Sequence, residues 1–103
     1  MPEPVIICLH QPALELAEKV ASLCDGEVHG LQSRVNTIPE TFEKTKEHLQ
    51  ELFQKGHPLV GICSSGILIR SLADVLSDKH TEPPVLAVAE DGSCVIPLLG
   101  GHH

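Results

Sequence analysis

Val5-Ile6-Ile7-Cys8-Leu9 carries no polar side chain and is β-branched at its start. A strand with that pattern must be covered on both faces, so it belongs inside a sheet with helices on either side. Pro58-Leu59-Val60-Gly61-Ile62-Cys63 and Val85 to Ala89 repeat the pattern. Between these runs the period changes to that of a helix. His10-Gln11-Pro12 breaks the first run, and Pro12 suits a first helical turn. From Ala13 onward Leu14, Ala17, Ala21 and Val20, Cys24 share a face, while Glu15, Glu18 and Lys19 point outward. Asp25-Gly26 stops that helix, and Glu27 to Leu31 reads as a short second strand.

Thr37 and Glu40 have the spacing of a capping box, which predicts a second helix running to about Lys55. Phe42, Leu49, Leu52 and Phe53 form its apolar stripe, and Gly56 ends it. Ser64-Ser65-Gly66 is the turn into a third helix, Ile67 to about Ser77, rich enough in Ile, Leu and Val to be buried around much of its circumference. Thr81 to Pro84 is a linker. Asp91-Gly92 is a two-residue hairpin signal. It returns the chain as a strand from Ser93 to Leu99, with Pro97 marking a sheet edge. The order β-α-β-α-β-α-β-β specifies an α/β three-layer sandwich. Its mostly parallel five-stranded sheet ends in a C-terminal antiparallel edge hairpin, in spatial order 2-1-3-4-5. Residues 1–103 read as a single domain.

Composition removes several function classes. Fourteen Asp and Glu against seven Lys and Arg give a formal charge of −7, which excludes a general phosphate-binding surface for nucleic acid. Phe42 and Phe53 are the whole aromatic complement apart from histidine, so a base-stacking platform is excluded as well. No apolar run is long enough to span a bilayer, and Met1-Pro2-Glu3-Pro4 has no basic n-region of a secretion signal. Cys8, Cys24, Cys63 and Cys94 form no CxxC pair. They read as small buried side chains in a reducing cytosol, and no metal site is read from spacing.

In an open sheet of this kind ligands bind beyond the carboxyl ends of the strands, where strand order reverses. The chain leaves the two strands flanking that point through His10-Gln11 and Ser64-Ser65-Gly66. Backbone N–H groups and two hydroxyls at a helix start suit an anion, and Gly66 admits close approach. The bland reading makes Ser64 or Ser65 a helix N-cap. Arg70, one turn on, either reaches that anion or pairs with Asp74 at i,i+4. His10 is a polar contact, an acid/base group or a solvated loop residue. Glu90 stands at the same edge, with Asp91 serving the turn. Ser65 has no partner base in the sequence, so no nucleophilic triad can be assembled. His102-His103 is carried by the last strand to the opposite edge.

Residues 59–70, Leu-Val-Gly-Ile-Cys-Ser-Ser-Gly-Ile-Leu-Ile-Arg, resemble a signature of the N-terminal domain of the cobalamin-biosynthesis protein CbiG family. The resemblance continues through Lys79-His80-Thr81-Glu82-Pro83-Pro84, the hairpin from Val85 to Leu99, and Gly100-Gly101-His102-His103. Residues 1 to 57 agree with the family only in layout. The resemblance implies a fragment of a longer multidomain chain. The following domain would be another CbiG domain or, by the double-histidine ending, a fused precorrin-3B C17-methyltransferase. It further implies part of a cobalt-precorrin-5A hydrolase in vitamin B12 biosynthesis. That enzyme opens a lactone ring and releases acetaldehyde, with cobalt carried by the substrate and no cofactor bound by the domain itself. Ser64, Ser65, Gly66 and Arg70 would then hold a corrinoid carboxylate. His10, Ser65, Glu90 and His102 stay open as candidates for the chemistry. The rival reading is a non-catalytic docking or substrate-channelling domain.

Overall fold

Alternate residues of the first apolar run enter two different cores. In the computed structural model, which describes residues 2–76 and 82–99, that run is strand β1 (Val5–Cys8). A 3-10 turn (Gln11–Ala13) leads into α1 (Leu14–Cys24). Then follow β2 (Glu27–Leu31), β3 (Thr41–Phe42), α2 (Thr45–Gln54), β4 (Leu59–Ile62), α3 (Ser65–Leu72) with a 3-10 turn at Ala73–Val75, β5 (Val85–Val88) and β6 (Val95–Leu99). They form one sheet of order β3-β2-β1-β4-β5-β6. All neighbours are parallel except β5 and β6.

Val5, Ile7 and Leu9 pack with Leu49, Leu52 and Phe53 of α2 and with Leu68 and Leu72 of α3. Ile6 and Cys8 face the other way, against Ala13, Ala17 and Ala21 and beside Val60, Ile62 and Val88. The three-layer α/β architecture read from the sequence is thus the one observed, with helices on both faces of a mostly parallel sheet. The central parallel strands β1 and β4 need no polar face because every residue in them is buried.

Local differences have local causes. The sheet has a sixth strand, β3, in place of the expected start of the second helix. Gly30 N–H donates to the Glu40 carbonyl at 3.0 Å and Gln32 N–H to the Phe42 carbonyl at 2.8 Å. These bonds pair the otherwise open edge of β2, whose donors would be left without partners by a helix. The Thr37–Glu40 capping box therefore does not form. Thr37 instead accepts a hydrogen bond from the Gln11 amide at 3.2 Å. Phe42 is buried as expected, but from β3 rather than from a helical stripe.

α3 buries one face only: Leu68, Ser71 and Leu72 are inside, while Ile69 is 52% exposed. Asp91-Gly92 does not make a two-residue hairpin. Ala89 N–H donates to the Cys94 carbonyl, and Gly92 N–H closes a turn on the Ala89 carbonyl with Gly92 at φ 76°. The Asp91 carboxylate accepts from the Ser93 N–H at 2.9 Å, so its turn role holds in a longer loop. Cys8 and Cys63 are buried free thiols, whereas Cys24 and Cys94 are exposed. Cys24 falls at the last turn of α1, beyond the sheet's cover. Ser77, residues 79–81 of the linker and Gly100 to His103 lie outside the described residues. Among the described residues, no helix is long and apolar enough to cross a membrane.

Gly61 sets how closely α3 approaches the sheet. A Cβ there would lie 2.8 Å from Leu68 Cδ2 and 3.1 Å from Cys63 Sγ, and Leu68 is fully buried. Gly61→Ala is expected to overpack this contact and cost about 1–3 kcal/mol in urea unfolding. Truncating the neighbour as well, in Gly61→Ala/Leu68→Ala, should cost less than the sum of the two single changes. Strict additivity would show that the close approach does not constrain the helix.

Candidate functional site at the carboxyl edge

β2 and β3 lie on one side of β1, and β4 to β6 lie on the other. The reversal between β1 and β4 opens the carboxyl edge at that point. Cys8 is paired with Ile62, and Gly61 with Ala87. Continuing both registers brings His10, Ser64 and Glu90 abreast as the chain leaves β1, β4 and β5. His10 Nε2 stands 3.6 Å from Glu90 Oε2, with both side chains about half exposed at 44% and 49%. That separation is too long for a hydrogen bond and suits a weak ion pair once His10 is protonated.

Ser64 occupies the N-cap position of α3 with extended backbone, and its hydroxyl makes no bond to the helix. Its carbonyl accepts the Ile67 N–H at 3.2 Å. The first-turn N–H groups of α3 therefore have no side-chain cap. Arg70 curls back over this helix start, as long helical side chains tend to do. A Cβ on Gly66 would lie 3.2 Å from Arg70 Nη1. The alternative Arg70–Asp74 pair does not form, because Asp74 Oδ2 pairs with Lys46 Nζ of α2 at 3.0 Å. Four of the residues singled out from sequence, Ser64, Ser65, Gly66 and Arg70, thus form one donor-rich turn. His10 and Glu90 stand beside it.

The neighbouring thiols are buried and held in their protonated form. Burial, with a smaller push from the Glu90 charge, raises Cys63 to about 11. Burial also raises Cys8, against the smaller opposing effect of a backbone hydrogen bond at His10. Leu99 pairs with Val85 at the amino edge, so β6 ends on the side away from Ser64. His102 itself lies outside the described residues.

A second polar cluster escaped the sequence reading. His29 Nδ1 is 2.8 Å from His48 Nε2, and His29 Nε2 is 2.9 Å from Glu27 Oε1. His48 stacks on Phe42 with ring centroids 4.5 Å apart. The available signals were weak: Glu27 and His29 share one strand face by their spacing of two, and His48 precedes Leu52 by one helical turn. Only the fold brings α2 over β2. Burial, and next the neighbouring His29, lower the pKa of His48, with Glu51 and Glu40 pulling the other way.

The family model described as "Cobalamin synthesis G N-terminal" matches residues 47–103. A cobalt-precorrin-5A hydrolase of Priestia megaterium is 39% identical over 54 residues, which is 52% of this chain and 14% of that protein. The enzyme of the same name from Salmonella typhimurium is 43% identical over 44 residues, 43% of this chain and 12% of that protein. The chain thus spans only a small part of these relatives. No solved structure gives a significant match.

A histidine whose folded pKa lies below its unfolded value stabilises the fold above the unfolded pKa. That stability is lost as pH falls through the folded pKa. The midpoint of urea unfolding in EDTA is therefore expected to drop as pH falls below the ordinary histidine range, and His48→Gln should flatten this dependence. An identical pH profile in the variant would contradict the assignment.

Proposed function

The chain belongs to the cobalamin synthesis G N-terminal family, and from that premise we propose that it holds a corrinoid intermediate for lactone opening at the carboxyl edge of its sheet. The observation that carries the reading is the turn from Ser64 to Gly66 with the Arg70 guanidinium folded over it. This turn falls within the matched stretch. A corrinoid intermediate is a polycarboxylate. Two hydroxyls and a guanidinium are matched to one of its carboxylates. On this reading the substrate is cobalt-precorrin-5A, and cobalt enters with the substrate rather than residing in the protein. Water is consumed, the lactone C–O bond breaks, and acetaldehyde leaves as cobalt-precorrin-5B forms.

Charge builds on the lactone oxygen as water adds, and the Ser65 and Gly66 N–H groups are placed to receive it. His10 is assigned the proton of the attacking water, with the nearby Glu90 carboxylate balancing the charge it gains. The identity of the relatives supports the substrate class. Their greater length means that further domains share the complete reaction.

Calorimetric titration with a cobalt(III) corrinoid bearing free carboxylates tests the binding step. Arg70→Ala should weaken binding by about 10- to 100-fold, the value of a charge-assisted hydrogen bond. Ser65→Ala should weaken it less. Equal affinity in wild type and Arg70→Ala would remove the turn as the recognition site. Absence of binding at millimolar ligand would favour a docking or channelling domain instead.

A further inference from the structure

We infer that Glu27, His29 and Glu40 form a binding site for a divalent transition-metal ion of the zinc type, distinct from the carboxyl-edge turn. One ligand atom from each residue lies within 4.8 Å of the others. Glu27 Oε1 and His29 Nε2 are already 2.9 Å apart, close to the spacing of two ligands on one ion. Bonds of about 2.1 Å separate tetrahedral ligand atoms by about 3.4 Å. Glu40 is exposed and closes the remaining gap by rotation of its side chain.

The cluster is built into the fold rather than scattered over its surface. Glu27 and His29 project from one face of β2. The Glu40 backbone is fixed to the same strand by the Gly30 N–H. The His29 side chain is only 12% exposed, and its second nitrogen is held by His48, which is itself stacked on Phe42. Ligating histidines commonly have their other nitrogen fixed in this way, which sets the ring orientation. One imidazole with two carboxylates suits zinc, and the mixed donor set disfavours magnesium, which prefers an all-oxygen shell rich in water.

The hydrogen bonds dictate what an ion would change. A carboxylate only accepts, so neutral His29 must donate its Nε2–H to Glu27. Its bare Nδ1 must then accept from His48 Nε2–H. A metal ion on His29 Nε2 displaces that proton to solvent and forces the other tautomer. The His48 Nε2 proton passes to His29 Nδ1, which then donates to His48 Nε2, and His48 takes up one proton from solvent at Nδ1, so no net proton is released.

Proton-coupled nitrogen spectra of the labelled chain, titrated with zinc chloride at pH 7.5, read this directly. At one equivalent the His29 Nε2 resonance should become metal-bound, and His48 Nε2 should lose its attached proton. Magnesium chloride at the same concentration should change neither. His29→Gln and Glu27→Gln should each weaken this zinc binding at least 10-fold, with the amide spectrum confirming that the fold is kept. Zinc taken up only by the exposed Cys24 and Cys94 or by other imidazoles, with the His29 and His48 nitrogens unchanged, would overturn the proposal. So would the absence of zinc binding at millimolar concentration.

Discussion

The parallel pairing of β1 with β4, Val5 with Leu59 through Cys8 with Ile62, joins segments more than half the chain apart. Every residue in both strands is buried. The pairing creates the middle of the sheet, divides the core into two layers, and places the reversal of strand order between β1 and β4. Right-handed crossovers then oblige α1 to cover one face and α2 and α3 the other. The carboxyl-edge turn inherits its position from this arrangement, because α3 starts only three residues after the end of β4. Gly61 refines the same relation by letting Leu68 descend onto the sheet.

The layered fold was legible because its strands announce themselves by unbroken apolar runs and its helices by a different period. The elements that depended on hydrogen bonding were not. β3 contains two residues and exists because the edge of β2 needs a partner, a demand that no local propensity expresses. The Thr37–Glu40 pattern satisfies every local rule for a capping box and is overridden by that same pairing. Asp91-Gly92 has the pattern of the minimal hairpin, yet the turn spans more residues, with Gly92 in the left-handed position after Asp91.

The carboxyl-edge residues were legible for a different reason: sheet topology predicts where strand ends meet. His10, Ser64 and Glu90 could therefore be grouped from element order alone. Their separation, the unused Ser64 hydroxyl and the diversion of Asp74 to Lys46 required coordinates. The Glu27–His29–His48 chain was hidden because its members belong to β2 and α2, whose contact is set by the tertiary fold. Only His48 of that cluster falls in the family-matched stretch. The two polar clusters thus divide the molecule, one on the matched turn and one on the preceding β2–β3 segment.

The central claim is that substrate sits at the carboxyl edge between β1 and β4. Paramagnetic relaxation of backbone amides by a bound cobalt(II) corrinoid measures this most directly, because the broadening falls steeply with distance from the metal. The account predicts strongest broadening around His10, Ser64 to Gly66 and Glu90, with β3 and β6 little affected. Broadening centred on β6 or on the His29 cluster, with the Ser64 to Gly66 amides unaffected, would contradict it.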